Sequence, residues 1–211
     1  MTKVQGLRER KKAQQRELIA DTAAALFGER GFDAVSMADV ARASNVSDQT
    51  VYNYFPTKPD LVLDRADDYR ERYARAVRER SDDQSPAEAL GPLVSIDVDI
   101  YLGEDPALAK GEFPALCLQS AGLRRFALEL REQQGEELAD ALAETDPGIP
   151  GIVARVHAAA LVSVIQSVTD AIGRAVIDGS PAREAAPRMT HDSAIALGHL
   201  DRAFRLLRPP R

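Results

Sequence analysis

The chain is short of several residue types and motifs, and each shortage removes a class of protein. One cysteine, Cys117, stands in 211 residues. No internal disulfide can form, and a lone thiol fits a reducing cytoplasm. Paired-cysteine zinc sites are excluded, and His157, His191 and His199 lack metal-ligand spacing, so neither metal nor cofactor is expected. There is no Gly-rich phosphate loop, no His-Glu-x-x-His and no nucleophile elbow, so no enzyme is indicated. No apolar run reaches the ~20 residues that cross a bilayer. Lys3 to Arg16 is charged, with no apolar stretch behind it of the kind a signal peptide carries. The expectation is a cytoplasmic protein that does not engage a membrane.

Helix is what remains. Ala, Leu, Arg and Glu dominate, and no segment alternates apolar and polar residues as a half-buried strand would. The composition, 45% hydrophobic and 28% charged, is ordinary for a globular chain, and the length suffices for one or two domains. The net charge of −6 argues against nucleic acid, but its distribution does not. Residues 1–20 hold six Lys/Arg against Glu9 and Glu17, whereas residues 61–211 hold 18 basic and 25 acidic residues. A basic front end on an acidic body suggests a local polyanion site.

Stop and start signals divide the chain. A first helix is expected over about 11–29, with Leu18, Thr22, Ala25 and Leu26 inward and Gly31 as its stop. Ser36 and Asp39 make a capping-box-like pair for a short helix from Met37 to Ser44. Asn45 turns the chain, because Asn tolerates the left-handed conformation. Ser47 caps a third helix, which must end at Phe55 ahead of Pro56. A fourth is expected from Pro59, with a stripe of Val62, Ala66, Tyr69, Tyr73 and Val77. Further helices are expected at about 87–102, from Ala115 or Gly122 to Glu144, at 151–178 and at 187–208, with breaks at 81–86, 103–114 and 145–151.

Two short helices joined by a tight turn, the second polar and aromatic, form a helix-turn-helix, whose second helix enters the major groove of DNA. Gln49 and Asn53 suit adenine edges, and Thr50 suits a base or a phosphate. Tyr52, Tyr54 and Lys58 suit phosphates, Ser36 and Ser47 are caps that can also touch phosphate, and Phe55 is core. Residues 31–62 resemble the DNA-binding domain of the TetR family of bacterial transcriptional regulators. The residues that carry the resemblance are Gly31-Phe32, Ser36, Ala41, Val46-Ser47, Thr50, Tyr52-Asn53-Tyr54-Phe55, Lys58 and Leu61. Two positions depart from the family pattern. Ser44-Asn45 replaces Ala-Gly in the turn, and Asp48 stands where the family often has a basic or neutral residue. Asp48 is expected either to read a cytosine amino group or to weaken non-specific affinity.

The expected fold is therefore all-α. An N-terminal three-helix DNA-binding domain, residues 1–57, precedes a C-terminal helical ligand-binding and dimerisation domain, residues 58–211. The resemblance implies a homodimer on double-stranded DNA, with the last two helices packed against their two-fold mates and Val162, Ile165, Thr169, Leu200 and Phe204 at that interface. From Val156 to Thr169 there is no Asp, Glu, Lys or Arg, so this helix is expected to be buried on most sides. The resemblance also implies a pocket for a small-molecule effector. Asp97 lies on an apolar face between Leu93 and Tyr101, so it must be paired or serve a ligand. His157 and Leu161 share a stripe, and Tyr69, Tyr73, Phe113, Cys117 and Phe126 could line a cavity, although each also reads as core. The mixture suggests an apolar or amphipathic effector. The implied activity is ligand-responsive regulation, most simply repression; the alternatives are a helical protein-interaction module or an activator without ligand-induced release.

Overall fold

The structure, a computed structural model, describes residues 6–62, 66–102 and 112–207, the side chains of 7, 66–70, 101, 102 and 112 excepted. Among the described residues every regular element is helical, and the fold is all-α. The chain divides into two compact units, 1–64 and 65–211.

The first unit holds α1 (Leu7–Arg30), α2 (Met37–Ala43), α3 (Asp48–Tyr54) and a 3-10 turn, Pro59–Leu61. Local chemistry sets every boundary. Gly31, at φ 80 and ψ 151, stops α1 with a backbone conformation that a side chain would strain, while its N–H still reaches Phe27 O. Ser36 and Asp39 close a reciprocal capping box on α2: Asp39 N donates to Ser36 Oγ (3.1 Å) and Ser36 N to Asp39 Oδ2 (3.0 Å). The bonds from Ser36 lower the Asp39 pKa to about 2. Asn45 takes the left-handed conformation, φ 55, that the turn requires. Ser47 Oγ accepts from Thr50 N (3.1 Å), and α3 ends where Phe55 becomes extended before Pro56. Ile19, Ala23, Leu26, Phe27, Val40, Val51 and Phe55 form the core. The inward stripe of α1 thus lies one residue on from the expected one. Leu18 is half exposed and Ala25 is exposed, because Phe27 turns in to meet the Phe32 ring at 5.1 Å.

The second unit holds α4 (Ala66–Arg78), α5 (Pro86–Leu102), α6 (Glu112–Gln119), α7 (Ala121–Thr145), α8 (Gly151–Ile177) and α9 (Ala182–Leu207). Of the helix expected from Pro59, the described residues show the 3-10 turn and α4; residues 63–65 lie outside the described residues. Where one helix is expected from Ala115 or Gly122 to Glu144 there are two, α6 and α7, broken at Ser120, whose Oγ caps α7 by accepting from Leu123 N (3.2 Å). The last helix starts at Ala182 and carries Pro187 inside it. The central element is α8, which packs against α5, α6, α7 and α9. Leu90, Val98, Leu138, Leu142, Leu161, Ile165 and Phe204 fill the core around it. At Gly173 of α8 a Cβ would lie 2.7 Å from the Pro114 carbonyl, so glycine lets α6 lie directly on α8.

Two expectations about α8 change. Its 27 residues, with a mean hydropathy of 1.5 over the most apolar stretch, are long and apolar enough to cross a bilayer by length and composition. A core helix passes the same test, and ten residues of α8 are buried against its neighbours. Nor is it buried on most sides by its own chain: Ile152 is 75% and Val156 66% exposed.

Candidate nucleic-acid interface

Helix α3 is held from beneath and from one end, and its outer face is open. Val51 and Phe55 are fully buried. Arg16 of α1 donates from Nη1 to Tyr54 O (2.8 Å) and stacks its guanidinium on the Phe55 ring at 4.4 Å. It thereby satisfies a carbonyl at the C-terminus of α3, where cations are favoured. In the sequence Arg16 is one of the six Lys/Arg of the basic front end. Its partner lies 38 residues away, and no local signal connects them.

The outer face carries the expected side chains. Ser36, Ser47, Asp48, Gln49, Tyr52 and Asn53 are exposed, while Thr50, Tyr54 and Lys58 are half-buried. Gln49 Nε2 donates to Asn53 Oδ1 (3.0 Å), so these two amides, one helical turn apart, form one unit. Ser47 Oγ and Thr50 Oγ1 are 2.8 Å apart. Asp48 lies in the first turn of α3, where the helix dipole favours an acid; this is a structural reason for the residue. The Lys58 ammonium lies 4.2 Å from the Phe32 ring centroid, and partial burial lowers its pKa.

The residues read as an effector site are dispersed. The side chains of Tyr69 and Tyr101 lie outside the described residues. Tyr73 is buried, with its hydroxyl donating to Asp97 Oδ2 (3.3 Å), and burial raises its pKa. Asp97 is paired: Arg72 Nη1 donates to its Oδ1 (2.8 Å). Cys117 is buried, which raises its thiol pKa to about 12. Phe113 and Phe126 are half-buried, and Leu161 is core. None of the seven described ones lines the cleft of ≈ 810 Å³ between α7 and α8, whose walls include Arg131, Ala139, Val156, Val162 and Gln166.

The five residues read as dimer contacts also turn inward. Val162, Ile165 and Phe204 are buried in the chain's own core, Leu200 packs against that core, and Thr169 Oγ1 accepts from Arg131 Nη2 (2.9 Å). The large apolar side chains that α8 and α9 leave exposed are instead Ile152, Val156, Ile177, Ile195, Leu206 and Leu207.

His157 is buried beside Phe204, ring centroids 5.0 Å apart, and its Nε2 has no hydrogen-bond partner. Burial lowers its pKa from 6.5. Unfolded chains therefore bind the His157 proton at a higher pH than folded ones. The stability this burial permits is present in full above about pH 6.5 and is lost as pH falls below it. Urea midpoints measured from about pH 7.5 down to about pH 5.5 are expected to decline, and His157→Leu is expected to flatten that decline. An unchanged slope in the variant would place the titrating group elsewhere.

A helix-turn-helix with an open polar recognition face, followed by a helical second unit, defines a DNA-binding transcriptional-regulator fold. Residues 19–64 match the family of bacterial regulatory proteins, tetR family. Over those residues the chain is similar to that family. It is 29% identical over 77 residues to YuxN, an HTH-type transcriptional regulator of Bacillus subtilis (strain 168); that match spans 36% of this chain and 26% of YuxN. Two solved structures share the fold. NalD, the secondary repressor of the MexAB-OprM multidrug efflux pump in Pseudomonas aeruginosa, superposes with a TM-score of 0.59 at 18% identity, over 89% of this chain and 97% of NalD. FadR from Bacillus subtilis, in complex with stearoyl-CoA, superposes with a TM-score of 0.56 at 21% identity, over 87% of this chain and 96% of FadR.

Proposed function

We propose that the chain is a ligand-responsive transcriptional repressor that binds a palindromic operator as a homodimer in the cytoplasm. The observation that carries this reading is the open face of α3. Asp48, Gln49, Tyr52 and Asn53 stand exposed on a helix whose other face is anchored by Val51, Phe55 and Arg16. In the division of labour proposed, residues 1–57 read DNA and residues 58–211 serve ligand binding and dimerisation. The exposed apolar residues of α8 and α9 support a second copy as their cover. Two recognition helices related by a two-fold axis match an inverted repeat. An effector that binds the non-DNA form more tightly shifts the population and releases the operator.

The test is an in vitro selection. Purified dimeric, ligand-free protein is mixed with sheared genomic DNA from its own source at about physiological salt, and the recovered DNA is sequenced. One enriched inverted repeat is the expected result. No enrichment would mean that α3 does not read DNA, and a helical protein-interaction module would then be the better account.

A further inference from the structure

One face of the second unit carries three stripes side by side. Helix α7 meets α8 on the side of Val162 and Gln166, and α9 meets it on the side of His157. Between them α8 exposes Ile152, Val156, Ala159 and Ser163. On the α7 side Glu132, Glu136 and Asp140 stand exposed along the rim of the α7–α8 cleft. Glu129 and Glu144 of the same helix are paired, with Arg125 and Arg78; these three have no salt bridge among the described residues. Arg131 closes one end of the cleft and is spent on Gln166, Gln134 and Thr169, and Arg155 is exposed on α8. Three carboxylates against two guanidiniums leave the cleft net negative. The α9 side is basic. Arg188 and Arg202 are exposed, with His191 and His199 between them, and Leu206 is 87% exposed at the end. Asp192, the exposed acid beside this stripe, is about three turns from Arg202. Arg202 has no carboxylate partner among the described residues; its Nη2 lies 3.1 Å from Nδ1 of His199.

Both flanking helices run antiparallel to α8, joined to it by the short links 146–150 and 178–181. Arg131 bonds Gln166, and the Phe204 ring meets His157. Every helix rises equally per residue, so residue 159 of α8 is level with Arg202 on α9. On α7 the same level falls at residue 138, between Glu136 and Asp140. Ala159, Ser163 and Gly135 are small, which leaves the cleft room for a long side chain there. A second copy can lie on this face about a two-fold axis across the helices or along them. An axis across them sets acidic rim on acidic rim. An axis along them keeps every level and sets the acidic rim of each copy against the basic stripe of the other, twice over. Charge selects the second arrangement. It also gathers Ile152, Val156 and Leu206 with their mates into an apolar centre inside a polar rim, the usual anatomy of an interface.

We propose that the cleft between α7 and α8 is a socket for a second copy of this chain, which inserts its Arg202 between Glu136 and Asp140. The socket rests on the homodimer read above and adds what each copy recognises in the other. In the dimer the cleft is filled by protein, so it is not an effector site.

The experiment uses the full chain and measures its dimer dissociation constant by sedimentation equilibrium at one fixed salt concentration. Arg202, Glu136 and Asp140 are all exposed, so their variants are compatible with folding; circular dichroism checks this. Arg202→Glu is expected to weaken the dimer by about 100-fold or more, because the reversal acts in both sockets. Glu136→Lys combined with Asp140→Lys is expected to do the same. Mixed one to one, the two weakened chains are expected to form a heterodimer with nearly the wild-type affinity. Each chain then meets opposite charge in both sockets, whereas each homodimer meets like charge in both. Damage to the fold is not repaired by mixing. The socket is overturned if Arg202→Glu dimerises as tightly as the wild type, or if the mixture associates no better than the separate chains. A wild-type chain that stays monomeric overturns the socket and the homodimer together; a wild-type dimer whose variants are unchanged overturns the socket alone.

Discussion

Asp146→Ala is expected to destabilise the second unit by about 3–5 kcal/mol, because it removes the counter-charge of a buried guanidinium. The Arg80 and Asp146 side chains are 3% and 9% exposed. Around the pair, Arg80 donates to Gln84 O (3.1 Å), Val77 O and Thr145 Oγ1 (2.9 Å), and Thr145 Oγ1 donates to Asp146 Oδ2 (3.1 Å). This network ties the segment after α4 to the end of α7. The carbonyls can solvate part of the positive charge, but none can neutralise it. The same physics says the pair itself adds little over an apolar filling, since two charges were desolvated to make it. Arg80→Met with Asp146→Leu is therefore expected to cost less than Asp146→Ala alone. The neighbouring Arg78–Glu144 pair, with side chains 41% and 57% exposed, is the control. Water screens it, and Glu144→Gln is expected to leave the urea midpoint nearly unmoved. A loss below about 1 kcal/mol for Asp146→Ala would mean that water reaches Arg80 in the folded chain.

The first unit was legible because its signals are local. Ser36 and Asp39, Asn45, Ser47 and Pro56 each act within a few residues, and together they fix both short helices and the turn. The stripe of α1 was misplaced by one residue because Ile19-Ala20 and Ala23-Ala24-Ala25 offer two nearly equal faces. The choice rests with the Phe27–Phe32 contact across the Gly31 stop. In the second unit Gly122 is the one local signal near the break at Ser120, so the sequence leaves the helix start open between Ala115 and Gly122 and does not separate α6 from α7.

The candidate sites divide the same way. The exposed face of α3 follows once its ends are known, since Val51 and Phe55 can only point inward. The partners of Arg131 lie up to 38 residues along the chain, and on α7 alone the residue looks like one more solvated helix charge. Likewise, the uncharged run from Val156 to Thr169 announced a helix needing cover, but not which face its own chain leaves bare. Packing against α6, α7 and α9 takes Leu161, Ile165 and Val168, and leaves Ile152 and Val156 outside.

Asn53→Ala is expected to lower affinity for the selected operator by roughly 30-fold to 10,000-fold while leaving affinity for unrelated duplex nearly unchanged. A bidentate amide contact discriminates its base by about 1–3 kcal/mol, and a homodimer makes the contact twice. The Gln49–Asn53 bond makes the expectation sharper. It uses a Gln49 N–H and the Asn53 oxygen, and leaves Gln49 Oε1 and Asn53 Nδ2 as one acceptor and one donor outside that bond. That is the pair of groups an adenine major-groove edge requires. Gln49→Ala is therefore expected to lose preference at the same base pair as Asn53→Ala, and the double variant is expected to lose much less than the sum. Tyr54→Phe serves as the contrast: a phosphate contact positions without reading, so its loss is expected to weaken all sequences about equally and to flatten the salt dependence. Affinities for the operator and its single-base variants, at one fixed salt concentration, separate these outcomes. Equal weakening on every sequence by Asn53→Ala would move Asn53 to the phosphates, and additive losses for Gln49 and Asn53 would mean that each reads a base of its own.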